Sequence, residues 1–345
     1  MKRFIQPMAP GWFASVMGTA VTSLAFSLLS ARHADVVFLR LLADVFHWTA
    51  IALMIGLTVP ALLRIAIYPK AVVQTLKHPI ESSFYATFPI AMLVMSGQWY
   101  VRGLPYETVA ALWWTGIALT FVTSYVVLFN LFTTERLKLG MVTPAHFIPA
   151  VGLGVIPVAG AALAAGAEGA MREAYFAVNM FGFGASIFMY VGLLAVSMAR
   201  QLLGPAIDGK MTPTLMVHLA PLAILPLSLL SLLSTNGDES AIRYGTLVAC
   251  IFLGAAFWWL ILASALIVRN IVRRSLPFAL SWWAFVFPIG ALTVLSLTLS
   301  SRLNLILLPY VATALCTVLC GMWCVAAVGT VRAVLKGQLF SASPA

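Results

Sequence analysis

The chain has 345 residues, of which 62% are hydrophobic and only 9% charged, too few polar side chains to clothe a soluble domain, where about a quarter are charged. Its formal charge of +10 comes from basic residues set singly at loop positions, without the stripe that a nucleic-acid backbone requires, so no nucleic-acid partner is expected. Excess positive charge in loops instead orients a protein in a lipid bilayer.

Apolar runs of 18 or more residues recur along the chain, which predicts helices rather than barrel strands, since a spanning strand needs only about ten alternating residues. The first thirty residues have the outline of a signal peptide: Lys2 and Arg3, an apolar stretch, then Ser30-Ala31-Arg32-His33-Ala34. Pro10 stands in phase with later helix starts, so this segment is read as the first membrane helix, over about 10–30. The remaining spans are expected at about 37–66, 80–100, 107–133, 143–166, 173–203, 212–235, 242–270, 278–300 and 304–335. One membrane domain over 1–345 accounts for the chain: an all-α integral membrane protein with ten transmembrane helices in five helical hairpins.

Proline sets the period. Pro10, Pro79, Pro144, Pro213 and Pro277 begin successive modules at intervals of 69, 65, 69 and 64 residues. Proline is tolerated in a helix's first turn, where its missing N–H has no partner to lose. A second set, Pro89, Pro157, Pro221 and Pro288, follows at intervals of 68, 64 and 67 and predicts a bend within each of four odd-numbered helices. Broken helices are tolerated in lipid where protein or a wet cavity satisfies the freed groups. The odd helices are therefore expected to face inward around a central pore, with the even helices outside.

Placing both termini in the cytoplasm puts Lys2, Arg3, Arg64, Lys70, Lys77, Arg136, Lys138, Arg200, Lys210, Arg269, Arg273, Arg274, Arg332 and Lys336 inside, 14 of the 20 basic residues. Arg32, Arg40, Arg102, Arg172, Arg243 and Arg302 then lie outside, at least one in each outer connection. They are either ordinary interfacial charge or a mouth that concentrates anions.

Few residues suit catalysis. Asp44 and His47 are i, i+3 neighbours expected to pair with each other, although a carboxylate within the membrane is also a functional candidate. Asn179 and Glu81 are the other polar candidates. His78, His146 and His218 sit at offsets of −1, +2 and +5 from their module prolines, hence at different depths, which argues against a shared metal. Cys316, Cys320 and Cys324 share a helical face but have no histidine or carboxylate nearby; with Cys250 they read as buried small residues. No metal, no cofactor and no catalytic residue is expected, and the chain is not read as an enzyme. Weakly polar residues do converge on the odd helices: Gly18, Thr19, Ser82, Ser83, Ser96, Gly152, Gly154, Gly160 and Ser281. They either line a narrow wet path or permit close packing. With the termini inside, all five odd helices turn their positive ends to the cytoplasmic mouth, which favours anions there.

Certain segments resemble a known family: Pro10-Gly-Trp-Phe-Ala-Ser-Val-Met-Gly-Thr19; His78-Pro79 with Ser82-Ser83-Phe84; and Thr143-Pro144-Ala-His-Phe-Ile-Pro149 running into Gly160. Thr212-Pro213 with Ala220-Pro221, and Trp282-Trp283-Ala-Phe-Val-Phe287-Pro288, continue the match to the end of the chain. The sequence is similar to the tellurite-resistance/dicarboxylate transporter family, which includes fungal sulfite pumps, a yeast malate permease and the plant guard-cell slow anion channel. The resemblance implies a homotrimer, each subunit with a central pore lined by its odd helices. It implies that a phenylalanine of the ninth helix plugs the pore: Phe287 by motif, with Phe285 the alternative. It also puts Gly18 on the pore wall. Together with the prolines and hydroxyls, the expected lining is Gly18, Thr19, Ser82, Pro89, Ser96, Pro157, Pro221 and Pro288. The expected function is an inner-membrane anion channel or transporter for small anions such as chloride, nitrate or sulfite, with C4-dicarboxylate or tellurite transport the alternative. A membrane-embedded enzyme or a receptor fits less well, lacking paired ligands or an extramembrane domain.

Overall fold

The computed structural model describes residues 5–134 and 138–340, and all regular secondary structure among them is helical. Lys2, Arg3 and Arg136 of the charge count lie outside the described residues. Five long inner helices are α1 (Phe13–Arg32), α4 (Thr87–Val101), α6 (Phe147–Ala165), α8 (Leu219–Asn236) and α10 (Val286–Arg302). Each is followed by an outer helix: α2 (Val37–Ile67), α5 (Tyr106–Phe132), α7 (Gly169–Leu203), α9 (Glu239–Val272) and α11 (Leu307–Leu335). A nine-residue helix, α3 (Pro69–Lys77), occupies what reads in the sequence as a plain loop.

Burial separates the two sets. The most apolar stretches of four inner spans are 78–89% buried within the protein, whereas those of the five outer helices are only 11–33% buried. Their exposed faces carry residues such as Phe38, Phe129, Phe188 and Ile261, which only a lipid environment would solvate well. The inner helices close a ring, since α1 packs on α4, α4 on α6, α6 on α8, α8 on α10 and α10 on α1. Each outer helix packs against its hairpin partner.

Among the described residues, nine helices are long and apolar enough to cross a bilayer by themselves. The second inner span is composite: the six-residue 3₁₀ segment Glu81–Ala86 leads into fifteen-residue α4. At about 2.0 and 1.5 Å per residue these rise about 34 Å together, sufficient for the ~30 Å hydrocarbon core.

Every inner helix opens on such a 3₁₀ segment: Pro10–Trp12, Glu81–Ala86, Pro144–His146, Thr212–His218 and Leu280–Phe285. These five segments form a second closed ring, each touching the next. The module prolines stand at or just ahead of them, where the absent N–H costs nothing. The inner proline set requires correction. Pro89, Pro221 and Pro288 are each the third residue of an α-helix, as is Pro149 of α6. They mark the passage from 3₁₀ to α inside the first turn, where N–H groups lack intrahelical partners anyway. Of the four expected bends only Pro157 lies in a helix interior, joined by Pro226 in α8 and by Pro60 in outer helix α2.

Two charged starts are also earlier than expected. α7 and α9 begin at Gly169 and Glu239, ahead of the expected 173 and 242, so that Arg172 lies inside α7 and Glu239 within the first turn of α9. Between α8 and α9, Gly237 adopts the left-handed conformation (φ 68°) and Asp238 caps α9 through Ser240 N and Ala241 N, a tight outer turn built from a C-terminal and an N-terminal cap.

The expected Asp44–His47 pair is absent. Asp44 instead forms an ion pair with Arg102, and His47 Nδ1 meets the Gln98 amide, 2.8 Å from Nε2. Gln98 Nε2 also donates to Ser23 Oγ (3.0 Å), which donates to the Ala43 carbonyl (2.7 Å). The i, i+3 spacing left both side chains free to reach a third helix, and a full charge on Arg102 outcompetes an imidazole. This buried network ties α1, α2 and α4 together. Gln98→Leu strands His47 and is expected to destabilise the protein by roughly 1–3 kcal/mol, read as a lower unfolding temperature in detergent.

Candidate functional site

Three cavities lie along the ring of inner helices. The first, about 30 Å³, sits among the helix-opening segments and is lined by Ala14, Thr87, Ile148, Ala220 and Phe287 among others. The second, also about 30 Å³, is lined by Val21, Leu93, Val155, Ile224, Phe287 and Ala291. The third is a vestibule of about 370 Å³ at the C-terminal ends of the inner helices, with Ser231, Ser234, Thr235, Thr298 and Arg302 on its wall. The two small cavities each hold about one water, so the passage they outline is narrow.

The second cavity and the vestibule share Leu24, Gly97, Val158, Leu227 and Val294, and are in effect continuous. The first and second share a single residue, Phe287. It is 2% exposed and borders both. The cause is positional. Ala14, Ile148, Ala220 and Phe287 are all second residues of inner helices and all face the first cavity. Three of the four have aliphatic side chains and the fourth, Phe287, has an aromatic ring. Neither small cavity has an ionisable side chain on its wall. Charge appears only at the vestibule, where Arg302 Nη2 donates to Ser234 Oγ (2.9 Å).

Of the residues singled out in the sequence, the structure brings Ser281, Phe287 and Pro288 to the first cavity. Phe285 is buried edge-on against Trp282 and lines none of the three cavities. Gly18 faces the α1–α10 seam, where an added Cβ would lie 3.0 Å from Val286. Thr19 Oγ1 donates to the Ser15 carbonyl and accepts from Trp323 Nε1 (2.8 Å), turned toward α11. Ser96 donates to the Leu93 carbonyl (2.7 Å) within its own helix. Pro89, Pro157 and Pro221 lie on inner helices but outside these cavity walls. Ser82, with neighbouring Ser83, is buried in the second helix-opening segment, and neither hydroxyl has a hydrogen-bond partner among the described residues. Asn179 packs against Gly160 at the α6–α7 seam. The apolar lining at Ala14, Val21, Ile148 and Ile224 escapes sequence reasoning, because each resembles any other core residue. The one usable signal is the second residue of the α-helix, just before Pro149, Pro221 and Pro288; it fails at Pro89, where the preceding Phe88 lies outside these three cavities and Thr87 takes its place.

The histidines are occupied separately. His146 Nδ1 accepts from Thr143 N–H (3.1 Å), which directs its Nε2–H to the Pro79 carbonyl (3.0 Å) of the preceding module. His218 lies 3.0 Å from Ser197 Oγ and is flanked by Phe147 and Trp259. His78 Nδ1 accepts from Ile80 N and Glu81 N. Among the described residues no group of three His, Cys, Asp or Glu side chains is arranged to hold a metal.

A multi-pass, all-helical membrane protein with a ring of five inner helices around narrow, uncharged cavities is the architecture of a transport protein, with the apolar path in the place of an active site. Comparison with known sequences identifies the kind. Residues 7–331 match the voltage-dependent anion channel family, and the chain belongs to that family, whose members are channels and transporters rather than enzymes. An uncharacterized transporter of Methanocaldococcus jannaschii is 31% identical over 99% of this chain and 98% of its own. A sulfite efflux pump of Arthroderma otae is 23% identical over 96% of this chain and 92% of its own. A malic acid transport protein of Schizosaccharomyces pombe is 22% identical over 80% of this chain and 67% of its own.

Proposed function

We propose that the chain conducts small anions through a narrow, uncharged path occluded by Phe287. The observation that carries this reading is that Phe287 alone is common to the two small cavities. An ion in such a path loses most of its water and gains no counter-charge, so selection follows dehydration cost and width. That favours chloride, nitrate and singly charged sulfite. The likeness to a sulfite efflux pump along nearly the whole chain supports the same range. A C4-dicarboxylate such as malate brings two charges into a path without a cation, an uncompensated desolvation. The malic acid transport protein is also matched over less of its length. Tellurite transport is disfavoured on the same grounds when the oxyanion is doubly charged.

Helix polarity supports the sign. All five inner helices gather their N-terminal ends in one ring, so partial positive charge converges at one mouth. Two buried hydroxyls at that ring, Ser82 and Ser83, retain unused hydrogen-bonding capacity. The loop charges favour placing this mouth and both termini in the cytoplasm, in the inner (plasma) membrane of the cell. We further propose a homotrimer in which each subunit conducts independently.

The test is tracer efflux from proteoliposomes loaded with chloride, nitrate, sulfite or malate. Chloride or nitrate efflux above protein-free vesicles is expected, with malate slower; no efflux of any of them would overturn the reading. At the vestibule, Arg302→Gln is expected to lower chloride efflux by about twofold to fivefold at low ionic strength, with the difference vanishing at high salt as the field is screened.

A further inference from the structure

A fourth cavity, about 350 Å³, lies outside the ring between the N-terminal segment and helices α2–α5. That volume is within the range of small-ligand sites. Phe13, Leu62, Ile65, Phe88 and Leu119 make it apolar, with Arg64 and Tyr85 on the wall. Leu62 and Ile65 are more than half exposed, so the cavity adjoins the surface that faces lipid.

Arg64 is unusual among the basic residues. It is 7% exposed, yet every acceptor it finds is neutral: the carbonyls of Gln6 and Ala71, Thr75 Oγ1 and Tyr85 Oη. No carboxylate pairs with it among the described residues. These bonds use four of its five N–H groups and leave the positive charge uncompensated. A buried cation without a counter-ion among the described residues, beside an apolar cavity that meets the lipid-facing surface, suits an anion that carries a hydrocarbon chain. Arg64 sits in the last turn of α2, at an end of the span rather than its middle.

We propose that this cavity binds an anionic phospholipid, with one acyl chain between Phe13, Phe88 and Leu119 and the phosphate against the Arg64 guanidinium. The site adjoins the conduction path through a single wall. Phe13 and Phe88, in edge contact at 4.7 Å, face the lipid cavity. Their chain neighbours Ala14 and Thr87 face the first cavity of the ring. Lipid occupancy therefore supports the pore wall from behind, a consequence that rests on the proposed path; binding itself does not.

Native mass spectrometry of the delipidated full-length protein tests binding without any transport measurement. The protein is titrated with phosphatidylglycerol, with phosphatidylcholine of the same chains, or with palmitate. One phosphatidylglycerol per chain is expected, retained roughly tenfold better than phosphatidylcholine, and Arg64→Gln reduces it to the phosphatidylcholine level. Because Arg64→Gln also loses structural hydrogen bonds, Ala61→Trp is the second variant: it fills the cavity, leaves Arg64 in place and is expected to abolish retention. Equal retention of the two phospholipids, retention that survives Ala61→Trp, or palmitate displacing phosphatidylglycerol would each overturn the proposal. So would a change of oligomeric state in Ala61→Trp with lipid retention intact, which would assign the cavity to a second copy of the chain.

Discussion

Phe287→Ala raises chloride and nitrate efflux from proteoliposomes by about tenfold or more, the change given by lowering a barrier by about 1.4 kcal/mol. Truncating a ring in a packed core typically costs about 3–5 kcal/mol through lost burial and the void left behind. At Phe287 the space on both sides is already cavity, so the void joins existing space and the stability loss falls at or below the lower end of that range. Phe285→Ala is the matched control. Phe285 is equally buried but touches none of the three cavities along the ring, so its truncation lowers the unfolding temperature and leaves efflux unchanged. Unchanged efflux in well-folded Phe287→Ala protein, or equal increases in the two variants, would remove Phe287 from the role of plug.

Gly160→Val abolishes recovery of folded protein, and Gly160→Ala alone costs about 3 kcal/mol or more, at or beyond the usual upper bound for an overpacked core. A Cβ at position 160 would lie 2.1 Å from Asn179 Oδ1 and 2.2 Å from the Trp113 ring. Trp113, at least, cannot withdraw. Trp113 is fully buried, stacks near Tyr175 and donates Nε1–H to the Ile156 carbonyl (3.0 Å) one turn before the glycine. Asn179 is 1% exposed on the facing helix. The substitution therefore pushes α6 away from the outer helices α5 and α7 at once. Size-exclusion yield and thermal unfolding in detergent report the effect; a monodisperse Gly160→Val protein of normal stability would show that this seam is slack.

The inside–outside division of helices was legible because proline marks it: each inner helix begins where a missing N–H is harmless, and Pro10, Pro144 and Pro213 stand in the opening segments themselves. The five-fold period followed from the same residues. What the period concealed was the kind of helix. Counting places Pro157 with Pro89, Pro221 and Pro288, but structurally Pro149 is their equivalent, because the length of the 3₁₀ segment varies from Pro144–His146 to Thr212–His218 while the place of proline after the 3₁₀-to-α junction does not. The polar lining was misjudged for a different reason. Thr19 and Ser96 satisfy their hydroxyls on carbonyls three or four residues earlier, a local bond that removes the need for a wet face. The walls of the two small cavities are mostly Val, Ile, Leu and Ala, with Thr87 and Ser281 on the first, on helices apolar all round whose sequence carries no directional signal. Phe287 was legible only through its motif; its place beside Ala14, Ile148 and Ala220 needed the assembled ring. Asp44 found Arg102 across two helices, a pairing that sequence spacing does not encode.

The central claim, an anion path closed by Phe287, is tested most directly by the reversal potential of Phe287→Ala protein in a planar bilayer under a potassium chloride gradient. The account predicts a current that reverses close to the chloride equilibrium potential. Reversal near the potassium potential, or the absence of any current from folded protein, would contradict it.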